Sequence, residues 1–288
     1  MQSVAEFPGA APAAEQFDLW IEAGRAEKNY WRDLWRYREL FYFLAWRDIL
    51  VRYKQTVIGV AWAVIRPFLT MLVFTVVFNK VAHLPAPGAA PYALMVFAGM
   101  LAWQFFSTAL SESSISLIGN ANLISKVYFP RLIVPAASVI TSFADFLITL
   151  GLMAVMMLWY GFVPDWRLIT LPLFSALAFA ASLGAGLWLC ALNVEYRDFR
   201  YIVPFIVQFG LYVSPVGFSS SIVPQKWRLL YACNPIVGVI DGFRWALLRG
   251  DTPLNWATLL ASIVITVGLC GSGIWYFRRM ERTFADVI

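Results

Sequence analysis

Long apolar stretches alternate with short basic ones along this chain. Six are long and apolar enough to span a bilayer, where about 20 residues are needed. They are Val57–Asn79, Pro91–Leu110, Leu132–Trp159, Leu168–Leu192, Ile202–Phe218 and Trp256–Phe277. The second, fourth and sixth hold no charge; the first holds Arg66 and the third Asp145. The fifth is the shortest and is broken by Pro204 and Pro215. It can also be merged with the apolar material that follows. Ahead of the spans, Tyr37–Lys54 mixes aromatic and aliphatic residues with Arg38, Arg47, Arg52 and Lys54. Such a segment reads as a helix on the membrane surface that turns into a crossing helix. Drawn as a helix, it places Arg38, Asp48 and Arg52 on one side and Arg47 and Lys54 on another, so its amphipathicity is incomplete. The pattern predicts an all-α integral membrane protein: a flexible cytosolic tail over residues 1–30, an amphipathic interface helix over 31–54 and a six-span domain over 55–288.

Composition agrees. The 288 residues are 60% hydrophobic and 14% charged, against about 25% charged in soluble domains. The formal charge of +5 does not point to nucleic acid, because the Lys and Arg residues cluster beside the spans. Their placement sets topology. The N-terminal segment, the second and fourth connections (Lys126, Arg131, Arg197, Arg200) and the C-terminal tail (Arg278, Arg279, Arg282) carry most of them. Both termini are expected in the cytosol. The first 30 residues lack the basic start and apolar run of a cleavable signal peptide. Cys190, Cys233 and Cys270 make no metal-ligand spacing and read as small buried hydrophobes.

The loop Ser219–Asn255 carries structure of its own. Asn234-Pro235 is a helix-start signal, and Pro235–Leu248 is then mostly apolar, with Asp241 and Arg244 three apart. Two short half-apolar helices after a proline-broken span suggest re-entrant segments dipping into the outer leaflet. An ordinary external loop with surface helices is the alternative.

Several chemistries are missing from the sequence. It has no G-x-x-x-x-G-K-[ST] phosphate loop, a single histidine (His83), no metal-ligand cluster and no nucleophile elbow. An enzyme active site is poorly supported, and any ATP must be hydrolysed by another subunit.

Beside the basic segment and the two cytosolic connections, two positive signals lie within the spans. Arg66 lies about 10–14 Å into its helix at 1.5 Å per residue. Either it snorkels or pairs internally, with Asp145 the obvious counter-charge, or it meets an anionic substrate head, which a guanidinium grips bidentately. Phe205, Gln208, Phe209 and Tyr212 fall at i, i+3, i+4 and i+7 of the fifth span. Either this face packs in the bundle core, or its flat rings and amide line a path for sugars.

A family resemblance joins these signals. The run Arg52-Tyr53-Lys54-Gln55-Thr56-Val57-Ile58-Gly59-Val60-Ala61-Trp62, then Arg66-Pro67-Phe68 and Val73-Phe74-Thr75-Val76-Val77-Phe78, resembles the start of polysaccharide-exporting type-2 ABC transporter permeases, the exporters of O-antigen, teichoic acid and capsule. Asn122-Leu123-Ile124 with Lys126 and Phe129-Pro130, Leu192–Phe199, Ser214-Pro215-Val216 and Asn234-Pro235 are similar too, so the resemblance runs from about Tyr30 to the C-terminus. It implies a bacterial inner-membrane homodimer that exports a lipid-linked polysaccharide, powered by two cytosolic ATPase subunits that bind the ATP and magnesium. No cofactor is implied in this chain. It implies ATPase coupling through Ile115, Ile118, Asn122, Leu123, Lys126, Glu195, Arg197 and Asp198. For Arg38, Arg47, Arg52 and Lys54, which by themselves could only anchor the helix on anionic lipid and set topology, it adds docking to a cytosolic partner. Trp62 and Arg66, with the aromatic face, are the substrate candidates. The rivals are an exporter of drugs or lipids, which needs the outer helices and aromatic lining less, and a membrane-embedded transferase, which would need clustered catalytic His or acidic residues.

Overall fold

The computed structural model describes residues 30–54, 59–83 and 88–284. The expected tail over residues 1–29, the motif residues 55–58 and residues 84–87 lie outside them. Among the described residues every regular element is helical.

The expected interface helix is two helices, α1 (Tyr30–Arg36) and α2 (Arg38–Lys54). Leu44 and Ala45 of α2 are buried, and α2 packs along α6. Its charges do not divide as the helical drawing had them. Arg47, Asp48 and Arg52 are half-buried, whereas Arg38 and Lys54 are exposed together with Tyr42, Phe43, Trp46 and Leu50. The helix thus turns its central charges toward the protein beside Leu44, and leaves Tyr42, Phe43, Trp46 and Leu50 outward.

Among the described residues five helical stretches are long and apolar enough to cross a membrane: Ala61–Val81, Tyr92–Gly119, Ile133–Trp159, Trp166–Glu195 and Trp256–Met280. The first comprises α3 (Gly59–Phe74) and a wider π-helical continuation, Thr75–Val81. The others contain α4 (Tyr92–Gly119), α6 (Ile133–Trp159), α7 (Leu171–Glu195) and α11 (Trp256–Met280); α5 (Ala121–Ile124) joins α4 to α6. The fifth expected span is the shorter α8 (Phe199–Val213), with Pro204 inside it.

Helix α4 is the most buried of the long helices and packs against both α6 and α7. It overruns the expected end at Leu110 because its serine-rich last turns stay helical. Ser114 donates to the Ser111 carbonyl at 2.7 Å and Ser116 to the Ser113 carbonyl at 2.8 Å. These hydroxyls satisfy themselves and can be buried. The connection expected over Ser111–Pro130 therefore begins only at Asn120.

Helices α7 and α11 cross closely through small residues. A Cβ on Gly273 would come 2.4 Å from the Gly184 carbonyl oxygen, and one on Gly184 would come 2.6 Å from the Cys270 nitrogen. Neither glycine tolerates a side chain there.

Between α8 and α11 lie two 3-10 turns, α9 (Arg228–Tyr231) and α10 (Pro235–Leu247). The Asn234 side chain caps α10 by accepting from the Ile236 amide at 3.2 Å, as its sequence predicts. Helix α10 is buried almost throughout, against α4, α7 and α11. Arg244 is 0% exposed. It donates to the carbonyls of Met95 (3.2 Å), Phe218 (2.8 Å) and Val216 (2.8 Å). Tyr92 donates to the Gly217 carbonyl between them. One guanidinium thereby pins α10, the start of α4 and the turn that ends α8.

Candidate functional site: a polar cleft and an outward aromatic face

A cleft of about 460 Å³ opens between α2, α3, α4 and α6. Each helix supplies polar residues at helical spacing. Helix α4 gives Gln104, Thr108 and Glu112; α6 gives Ser142, Asp145 and Thr149. Arg52 and Tyr53 enter from the end of α2, and Trp62 and Arg66 from the first turns of α3.

The charges in the cleft are not equivalent. Arg52 bridges two helices: it pairs with Glu112 at 2.8 Å and, more closely, with Asp145. Tyr53 donates to the other Asp145 oxygen. Asp145 is thus committed to α2 and does not serve as the counter-ion of Arg66, which is one of the two readings open from the sequence. Arg66 is exposed and forms no ion pair among the described residues. The helix it stands on is broken in hydrogen bonding by Pro67, and Thr70 donates to the Arg66 carbonyl at 2.9 Å. The cleft therefore combines one uncommitted guanidinium, an exposed indole (Trp62) and a wall of hydroxyls and an amide. That set suits an anionic, hydroxylated ligand.

Phe205, Phe209 and Tyr212 are 66%, 59% and 62% exposed, and Gln208 lies exposed among them. The face of α8 that could have been core packing instead points out of the chain. Phe205 and Phe209 stack in parallel at 5.9 Å, and Tyr212 stacks on Phe74 of α3 at 6.5 Å. Behind them Gly210 admits the Trp103 ring, whose nearest atom would lie 2.5 Å from a Cβ.

The residues assigned to coupling lie at the end of the bundle that carries α1, α5 and the α7–α8 turn. Ile115 is exposed and Ile118 half-buried on the last turns of α4; Asn122 and Lys126 are exposed and Leu123 half-buried in and after α5. Glu195, Arg197 and Asp198 are exposed in the turn between α7 and α8. Of the interface-helix candidates, Arg47 is turned inward, donating to the Asn120 side chain at 2.9 Å, and Arg52 is held in the cleft. The sequence reading missed the polar wall of the cleft. Its signal was there: polar residues at i, i+4 and i+8 of one apolar span and i, i+3 and i+7 of another.

Among the described residues no three His, Cys, Asp or Glu side chains are placed to hold a metal.

Comparison with known proteins fits this architecture. Residues 39–248 match the model of the ABC-2 type transporter family. The chain is 27% identical over 259 residues to the O-antigen export system permease protein RfbA of Myxococcus xanthus, covering 89% of this chain and 98% of that one. To the protein of the same name from Klebsiella pneumoniae it is 26% identical over 245 residues, 84% of this chain and 92% of the other. To the polysialic acid transport protein KpsM of Escherichia coli it is 21% identical over 232 residues, 77% and 88%. The chain belongs to the ABC-2 type transporter family, whose members are membrane permeases of transporters rather than enzymes.

Proposed function

We propose that this chain is the membrane subunit of an ATP-driven exporter that moves a lipid-linked, O-antigen-like polysaccharide across the bacterial inner membrane. Two copies form the path, and two separate cytosolic ATPase subunits bind ATP and magnesium. The observation that carries the reading is the outward face of α8. An amide in a membrane span cannot face hydrocarbon without leaving its hydrogen bonds unmade. Gln208 is exposed between aromatic rings, so this face belongs beside a wet path closed by a second copy. Flat rings take the apolar faces of sugars, and the amide takes their hydroxyls. The similarity to O-antigen and polysialic acid permeases along most of the chain supports the same substrate class.

Six crossings fit this arrangement. Helix α8 is about 22 Å long at 1.5 Å per residue, and the turn Ser214–Phe218 completes the crossing. Helices α9 and α10 then form the re-entrant pair. The uncommitted Arg66, beside Trp62, meets the phosphate of the lipid carrier. The exposed Ile115, Asn122, Lys126 and Glu195–Asp198 group, with Ile118 and Leu123, faces the ATPase, and both termini lie in the cytosol.

The test replaces Phe209 or Tyr212 with Ala and Arg66 with Lys, and measures membrane protein level, ATPase co-purification and surface polysaccharide. These side chains are exposed, so the level and the complex should hold while export falls. Arg66→Lys keeps the charge but loses the bidentate fork. Loss of export only in step with loss of protein would reject the path.

A further inference from the structure

The C-terminal part of α11 carries a groove unrelated to the polar cleft. It has a volume of about 520 Å³ and is lined by Gly271, Ile274, Trp275, Arg278, Arg279 and Arg282. Within α11 the spacing i, i+3, i+4, i+7 and i+8 keeps the first five on one helical face, and Arg282 follows in the turn after Met280. That face is apolar at its inner end and basic at its outer end, with Trp275, 59% exposed, at the border. Among the described residues no acidic side chain lines it. The adjacent Glu281 is directed elsewhere and accepts from the Arg131 amide at 2.7 Å. A Cβ on Gly271 would meet nothing within 4 Å, so the inner end is open space. Arg279 lies over the Trp275 ring at 5.6 Å and Arg278 over the Tyr30 ring at 4.4 Å.

We propose that this groove binds an anionic phospholipid of the surrounding bilayer. The phosphate lies against Arg279 and Arg282, with Arg278 behind them, and an acyl chain runs past Trp275 and Ile274 into the space above Gly271. Length selects a lipid over an acidic protein surface. Gly271 lies about 14 Å inward of the end of α11 at 1.5 Å per residue, out of reach of a soluble partner but within reach of an acyl chain. Charge selects the headgroup: clustered arginines beside a span favour anionic lipid, each by about fivefold. The inference does not rest on the export function.

The experiment places the purified transporter complex in nanodiscs and quenches tryptophan fluorescence with brominated phosphatidylglycerol or brominated phosphatidylcholine. The Trp275 share is the difference between the unaltered protein and Trp275→Phe. The anionic lipid should quench that share at a mole fraction lower by on the order of tenfold. Arg279→Gln with Arg282→Gln should abolish the preference. Gly271→Leu, which fills open space and leaves every charge in place, should reduce quenching by both lipids. Equal quenching by the two lipids, or a preference that survives the double substitution, would overturn the proposal. So would a double variant that sheds the ATPase with its lipid preference intact, which would assign the arginines to protein docking.

Discussion

Arg52 at the end of α2 holds Asp145 in the middle of α6, 93 residues away in sequence. The pair ties the interface helix into the bundle, and among the described residues Arg66 has no carboxylate partner. Replacing Arg52 with Ala should leave a half-buried carboxylate with its Tyr53 hydrogen bond but without its counter-charge, and lower the level of inserted protein; adding Asp145→Asn should restore part of it. Asp145→Asn should not rescue Arg66→Ala. Protein level by immunoblot checks both. Rescue of the Arg66 variant would instead place the ion pair there.

Arg244 is expected to be structural. Each buried carbonyl left without its donor costs about 1–3 kcal/mol, and Arg244→Ala takes the arginine donor from the Val216 and Phe218 carbonyls outside any helix, as well as the extra bond to Met95 within α4. Arg244→Lys, lacking the planar fork, should lie between the two. Thermal unfolding in detergent should rank unaltered, Lys and Ala in falling order. An Ala variant as stable as the unaltered protein would contradict the pinning role.

Burial raises the Glu281 carboxyl above its ordinary pKa, although the Arg131 amide opposes the shift. A carboxyl raised on folding binds its proton more tightly in the folded state. The associated stability is present below the ordinary carboxylate pKa and is lost as pH rises through the shifted value. Glu281→Gln keeps an acceptor for Arg131 without the charge. It should remove this part of the pH dependence and be at least as stable at pH 8, whereas Glu281→Ala should be less stable. Melting between pH 5 and 8 decides; a Gln variant weaker than the Ala variant would contradict it.

The long spans and the cap at Asn234 were legible because each is local: apolar length and capping chemistry lie within one segment. The face formed by Phe205, Gln208, Phe209 and Tyr212 was legible as a face, but its direction depends on how α8 sits against α4. The partner of Asp145 was not legible, because the choice between Arg52 and Arg66 is made by packing across distant segments. The end of α4 was misread for a different reason. The apolar run stops at Leu110, whereas Ser114 and Ser116 bond back and continue the helix.

No phosphate-binding loop occurs in the sequence, and the purified chain alone should show no ATP turnover in a phosphate-release assay. Turnover that survives purification to a single band would require a nucleotide site within this chain.

Surface polysaccharide in a strain deleted for this chain shows whether it exports a lipid-linked polysaccharide. Loss of the polymer from the cell surface and accumulation of the lipid-linked form inside are expected. Both should be reversed by the intact chain, but not by Phe209→Ala with Tyr212→Ala at equal protein level. Unchanged surface polymer with no internal accumulation would contradict export by this chain.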